Sequence, residues 1–271
     1  MDFDLKKIWE IELDILDKVD SICRKHDLRY SIAYGSMIGA VRHGGFIPWD
    51  DDIDIFMPRA DYEKLLAVWN EEYHEGFILQ NKYTDWDFTQ NFTKIRKDNT
   101  TYIQTEEEKN VSYHTGIFID VFPGDKAAKG FVSKKTQALA SAVNLLIARG
   151  FTSPSGGIQN IIEKTILKLP LKVQKKLYAY TDEYMQKWNG RKEREYYFPS
   201  TIKDVFICYP ADMFDKLKDV LFESRKYKMC ADADTVLKIY YGDYLKLPPE
   251  EERVLKHHPL IADPERNFRD I

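Results

Sequence analysis

The chain has 271 residues, 44% of them hydrophobic and 31% charged, the balance of a folded globular protein rather than a disordered one. Its net charge of −4 excludes a protein that grips nucleic acid over a broad basic face, so no nucleic-acid partner is expected. Three widely spaced cysteines fit neither a disulfide framework nor a zinc knuckle; with no apolar run long enough to span a bilayer and an acidic start, MDFDLKK, the expectation is a cytoplasmic protein with reduced thiols.

Leu5, Ile8, Trp9, Ile15, Leu16, Val19 and Ile22 recur at three- and four-residue spacing, which predicts an amphipathic helix over 5–23. YSIAYGSM predicts a short strand ending at Gly35, then a short helix through Val41; Gly44, Gly45 and Pro48 mark a loop. FIPWDDDIDIFM, residues 46–57, predicts a strand closed by Pro58, and RADYEKLLAVWNEEY a helix with Tyr62, Leu65, Leu66 and Trp69 on one face. FILQNKY, FTQNFTKIRK, TTYIQT and GIFIDVFP follow as strands, the last closed by Pro123 and Gly124. Beyond Lys126 the pattern turns helical: KKTQALASAVNLLIARG, the loop TSPSGG, then IQNIIEKTILKLPLKVQKKLYAYTDEYMQKW broken by Pro170. The last region mixes a short strand, a helix and a Pro-rich turn. The expected class is α+β, with a mixed sheet flanked by helices over 1–126 and a largely helical half over 127–271.

The chemistry concentrates in FIPWDDDIDIFM. Side chains alternate along a strand, so Asp52 and Asp54 point the same way while Ile53 and Ile55 face the core. Two like charges so close push one pKa upward unless a cation sits between them. Oxygen-only ligands favour Mg2+ or Mn2+ over zinc, and Mg2+ commonly shares its carboxylates with substrate phosphates. Gly35 and Ser36, at the start of the predicted helix, supply a turn and a helix N-terminus that favour a phosphate. A two-ion site, its ions about 3.5–4 Å apart, needs a third carboxylate. Asp120 is the candidate, because an unpaired carboxylate in an apolar strand is costly. Asp50 reads equally as a turn residue after Pro48 or as a functional one. Asp51, facing the other way, reads as a structural hydrogen-bonding residue.

These features resemble the nucleotidyltransferase-fold superfamily, with its Gly-Ser turn, D-x-D strand and later strand carboxylate. Within it, YGSMIGAVRHGGFIPWDDDIDIFMPRADYEKL is similar to the LicD family, whose enzymes transfer phosphocholine from CDP-choline to cell-surface glycans and whose wider relatives include the fukutin-related ribitol-phosphate transferases. FTKIRKDNTTYI, HTGIFIDVFP and YYGDYLKLPPEEERVLKHHP extend the similarity along most of the chain. The resemblance implies a nucleotidyltransferase-like catalytic core over 1–126 and a C-terminal motif that completes the site. It puts Gly35 and Ser36 on phosphate, and Asp52, Asp54 and Asp120 on metal, with Asp120 also the base. It gives Arg42, Lys94 and Arg96 as the cations nearest the transferred phosphoryl group, with a solvated strand face as the competing reading of Lys94 and Arg96, and His43, flanking the glycine loop, as a substrate-binding residue. His257 and His258 either close over the site or form a surface turn before Pro259.

The reaction implied is attack of a sugar hydroxyl, on a glycan such as a teichoic acid precursor, at the β-phosphorus of CDP-choline or another CDP-alcohol, with CMP leaving. The alternative is a nucleotidyltransferase proper, which transfers NMP and releases pyrophosphate. A non-enzymatic nucleotide-binding protein is a third reading, weakened by the joint presence of Asp52, Asp54 and Asp120. Finally, IIEKTILKLPLKVQKKL interleaves apolar residues with five lysines. Such a segment either lies on an anionic membrane, here the inner face where a lipid-linked acceptor sits, or forms two helices that pack their apolar faces on the domain.

Overall fold

The Asp4 carboxylate accepts a hydrogen bond from the Lys6 amide and caps the first helix, α1 (Leu5–Lys25), whose stripe of Ile8, Ile15, Leu16, Val19 and Ile22 is buried. The computed structural model describes residues 4–72, 75–152, 157–201 and 204–271, so most of the TSPSGG loop lies outside them. The chain divides into two compact units: Met1–Gln80, Thr93–Pro123 and Met213–Ile271 form one, Asn81–Phe92 and Gly124–Asp212 the other. The fold is α+β.

In chain order the first unit continues with β1 (Ser31–Ile32), α2 (Tyr34–Arg42), β2 (Asp54–Pro58), α3 (Arg59–Trp69), β3 (Phe77–Gln80), β4 (Thr93–Lys97), β5 (Thr101–Ile103) and β6 (Phe118–Lys126). The main sheet has the order β1-β2-β6-β4-β3. Every residue of β6 is buried, so a charge carried there has to find a partner. Antiparallel pairing sets Lys94 opposite Asp120 and Arg96 opposite Phe118. The short β5 pairs instead with β10 (Ile261–Asp263) near the C-terminus. Ile8 of α1 packs with Tyr102, Ile117 and Phe118 in a core cluster.

The second unit carries α4 (Phe131–Arg149), α5 (Ile158–Leu167), α6 (Leu171–Met185) and β7 (Tyr196–Tyr197), which pairs with the end of β6 at Asp125 and Lys126. Pro170 stands at the N-cap of α6, where its missing N–H costs nothing. Back in the first unit, β8 (Leu217–Phe222) and β9 (Arg225–Cys230) form a hairpin, followed by α7 (Ala233–Tyr241). Cys23 and Cys230 are buried thiols. No described helix is long and apolar enough to cross a membrane.

Several elements differ from the sequence reading. The strand expected over 46–57 forms only from Asp54, because β1 offers partners no earlier than Ile55 and Phe56, and the preceding aspartates run irregularly. The strand expected to end at Gly35 stops at Ile32, and helix α2 takes Gly35 and Ser36 into its first turn. Residues 88–92 stay outside β4. β6 is not closed by Pro123 and Gly124. It pairs with β4 up to Val121 and with β7 from Asp125, so Pro123 falls between two ladders and no hydrogen bond is lost. In the last region the structure has a complete hairpin, where one short strand is expected.

Candidate active site

Three carboxylates converge where β2 and β6 lie side by side: oxygens of Asp52, Asp54 and Asp120 lie within 4.8 Å of one another. The backbone fixes them. The Asp120 amide donates to the Ile53 carbonyl at 2.8 Å, the Asp54 amide donates to Ser36 Oγ at 2.9 Å, and the Ser36 hydroxyl reaches the Asp52 carbonyl at 3.5 Å. Ser36 thus binds the first turn of α2 to the backbone of the carboxylate segment. Gly35 beside it is required by a close approach, since a β-carbon there would stand 2.6 Å from Asp50 Oδ2. Tyr34, at φ +40, is left-handed although not glycine, a conformation that costs about 1–3 kcal/mol. Ring contacts with Phe56, Phe122 and Tyr240 hold it there.

Opposing charge comes first from Lys94, whose Nζ is 2.6 Å from Asp120 Oδ1, both side chains buried. Lys94 also lies 3.2 Å over the Phe118 ring, a cation–π contact in addition to its ion pair. Arg96, on the same strand face, donates to Gln80 Oε1 and the Gly116 carbonyl, each at 2.6 Å. Arg42 and His43 are elsewhere, at the far end of α2: Arg42 Nε donates to His43 Nε2 at 2.9 Å and its NH1 to the Tyr244 carbonyl.

Behind the carboxylates runs a buried polar chain that links three distant parts of the sequence. Asp51, fully buried, accepts from the Tyr102 hydroxyl at 2.6 Å and pairs with His257 Nδ1 at 3.0 Å. The other ring nitrogen, Nε2, stands 3.7 Å from Asp52 Oδ2. His257 gets there because the Leu260 amide donates to the Ile103 carbonyl at 2.8 Å and β10 then follows β5. The next residue, His258, turns the chain at φ +43 and is exposed. Of the two tail histidines, His257 faces the carboxylates and His258 faces solvent.

Electrostatics separate the acids. Burial, and then the charges of Asp52 and Asp51, push Asp50 up to about 8. Burial pushes Asp52 up to about 6 against the pull of His257, and burial with the Asp52 charge holds Asp54 well above the usual carboxylate range. Burial would raise Asp51 too, but the hydrogen bonds from His257 and Tyr102 together outweigh it and keep it low. Asp50 is further held by its carbonyl, which accepts from Trp9 Nε1 at 2.9 Å.

Sequence reasoning missed Glu12. It is 1% exposed on α1, and its Oε2 has no hydrogen-bond partner among the described residues. Burial and then the charge of Asp52 raise its carboxyl well above the ordinary range. The available signal was its place four residues after Ile8 and four before Leu16, on the core stripe of α1. Six acids therefore share a small volume with Lys94 and His257. Such a set of buried, mutually repelling oxygen donors, one of them unpartnered, fits a hard divalent cation held by Asp52, Asp54 and Asp120.

The chain is similar to known proteins. Residues 27–144 match the family described as LicD/FKTN/FKRP, nucleotidyltransferase domain. The lipopolysaccharide cholinephosphotransferase LicD of Haemophilus influenzae is 29% identical over 251 residues, which cover 90% of this chain and 92% of that protein. An uncharacterized protein of Rickettsia prowazekii is 26% identical over 110 residues, 40% of this chain and 39% of its own.

Proposed function

From the premise that the chain belongs to the LicD family, we propose that it moves phosphocholine from a CDP-linked donor to a sugar hydroxyl of a glycan and releases CMP. The observation that carries the reading is the convergence of Asp52, Asp54 and Asp120 within the matched region, in a chain collinear with a cholinephosphotransferase over nearly its whole length. Magnesium, with manganese as substitute, is the ion these oxygens suit, and two ions held by Asp52, Asp54 and Asp120 would neutralise the donor diphosphate.

The chain's own residues divide the remaining work. Gly35 and Ser36, in the first turn of α2, take a phosphate against the backbone N–H groups at the helix start. Asp120 accepts the proton of the attacking hydroxyl, a role worth about a hundred- to ten-thousandfold in rate. Lys94, bonded to Asp120, adds positive charge beside the phosphoryl group. Asp51 and Tyr102 hold the His257 ring so that Nε2 faces Asp52, which makes His257 a positioning residue for that carboxylate. Arg96 braces the strand through Gln80 and Gly116, while Arg42 and His43 belong to an outer rim for the acceptor or the nucleotide. The acceptor is a cell-surface glycan precursor such as that of a teichoic acid, built on a lipid at the cytoplasmic face of the membrane.

Incubation with CDP-choline, Mg2+ and candidate glycan acceptors should release CMP only when an acceptor is present. Pyrophosphate release from CTP, with no CMP from CDP-choline under any acceptor, would overturn the reading in favour of nucleotidyl transfer.

A further inference from the structure

Helix α5 is packed inside out. Ile158, Ile161 and Ile162 are 77%, 65% and 54% exposed, and with Thr165 they fall at i, i+3, i+4 and i+7, one continuous stripe. The one buried residue of the helix is its acid, Glu163. Its carboxylate is turned inward to Arg149 at 3.2 Å and accepts from Gln159 Nε2 at 2.9 Å. An amphipathic helix that simply packs on its domain buries the isoleucines and exposes the glutamate. Here Ile166 packs against the Ile147, Ala148 and Tyr178 cluster.

The charge around this stripe has one sign. Lys164 and Lys168 are exposed along its flank, and Lys172, Lys175 and Lys176 are exposed on the following turns of α6. Between residues 124 and 188 there are eleven Lys and Arg against four Asp and Glu, in a chain of net charge −4; Asp125, Glu163 and Lys126 are buried, which leaves ten bases against two acids. A second copy of the same face would meet this positive charge with its own. A nucleic acid would satisfy the lysines and leave the isoleucines wet. An anionic bilayer surface satisfies both, since apolar side chains enter the acyl boundary while lysines remain among the headgroups.

We propose that the α5 stripe with its flanking lysines is a peripheral docking surface for an anionic lipid membrane. The full chain, mixed with vesicles of phosphatidylcholine alone or with added phosphatidylglycerol, should float with the anionic vesicles at low salt and be released at high salt. Ile161→Ser with Ile162→Ser should abolish flotation while CMP release with a water-soluble acceptor stays unchanged. Lys164→Gln and Lys168→Gln should each weaken partitioning roughly fivefold. Absence of flotation with anionic vesicles at low salt overturns the proposal, as does flotation that the double serine variant retains. A concentration-dependent dimer that the serine variant dissolves, without flotation, overturns it by making a second copy the occupant.

Discussion

Glu12 occupies a position where the α1 periodicity calls for an apolar side chain, and one of its oxygens has no partner among the described residues. A carboxyl whose native pKa is raised keeps, in the folded state, a proton that the unfolded chain gives up. Its contribution to stability is therefore complete below the ordinary carboxylate pKa and is lost as pH climbs toward the raised native value. Glu12→Met removes that term and the unsatisfied oxygen together. The variant should be more stable than the parent at neutral pH by roughly 1–3 kcal/mol, and its melting temperature should fall less between mildly acidic and neutral pH. Superimposable curves for the two proteins would refute this account of Glu12. The four aspartates between residues 50 and 54 are likewise unequal: Asp51 is held low by two hydrogen bonds, whereas Asp50 and Asp54 are held high by burial and by the charge of Asp52.

Among the elements, the smallest strands decide most about the site. β5 and β10 are three residues each, yet their pairing brings His257 back to a segment 206 positions earlier in sequence. The pairing starts at the Leu260 amide, so Leu260→Pro, which removes that donor, should release the tail. Turnover measured by CMP release should drop about ten- to a hundredfold, the usual effect of losing an outer partner of a metal ligand. The melting temperature should change little, because the main sheet does not include β10; unchanged turnover would show that His257 does not serve the site. The long strand β6 shows the opposite limit of sequence reading. Pro123 and Gly124 signal a stop by their local propensities, but the strand continues because Pro123 lies where the chain changes ladder partner.

For the molecule as a whole, the proposed metal site would tie stability to a divalent ion. An ion that binds only the folded chain stabilises it by mass action, about 2.7 kcal/mol at a hundred times its Kd, so Mg2+ should raise the melting temperature and a chelator should reverse the shift. Asp54→Asn removes one buried, raised carboxylate. It should melt no lower than the parent without Mg2+, lose most of the Mg2+-dependent shift and lose turnover. A shift of equal size in both proteins would refute the ligand role of Asp54.

The sequence by itself determined the local and contiguous features: the α1 stripe, the Gly35–Ser36 turn beside the D-x-D, and Asp120 as the acid of an apolar strand. These are readable because period and spacing are properties of neighbours along the chain. Only the tertiary structure decided which groups surround the acids. Asp51, Tyr102 and His257 carry no mutual signal in the sequence, and Lys94 meets Asp120 through strand register alone. Helix α5 makes the same point in reverse. Its amphipathic pattern is identical whether the isoleucines face the core or the solvent, and packing around Arg149 and Glu163 chose the solvent.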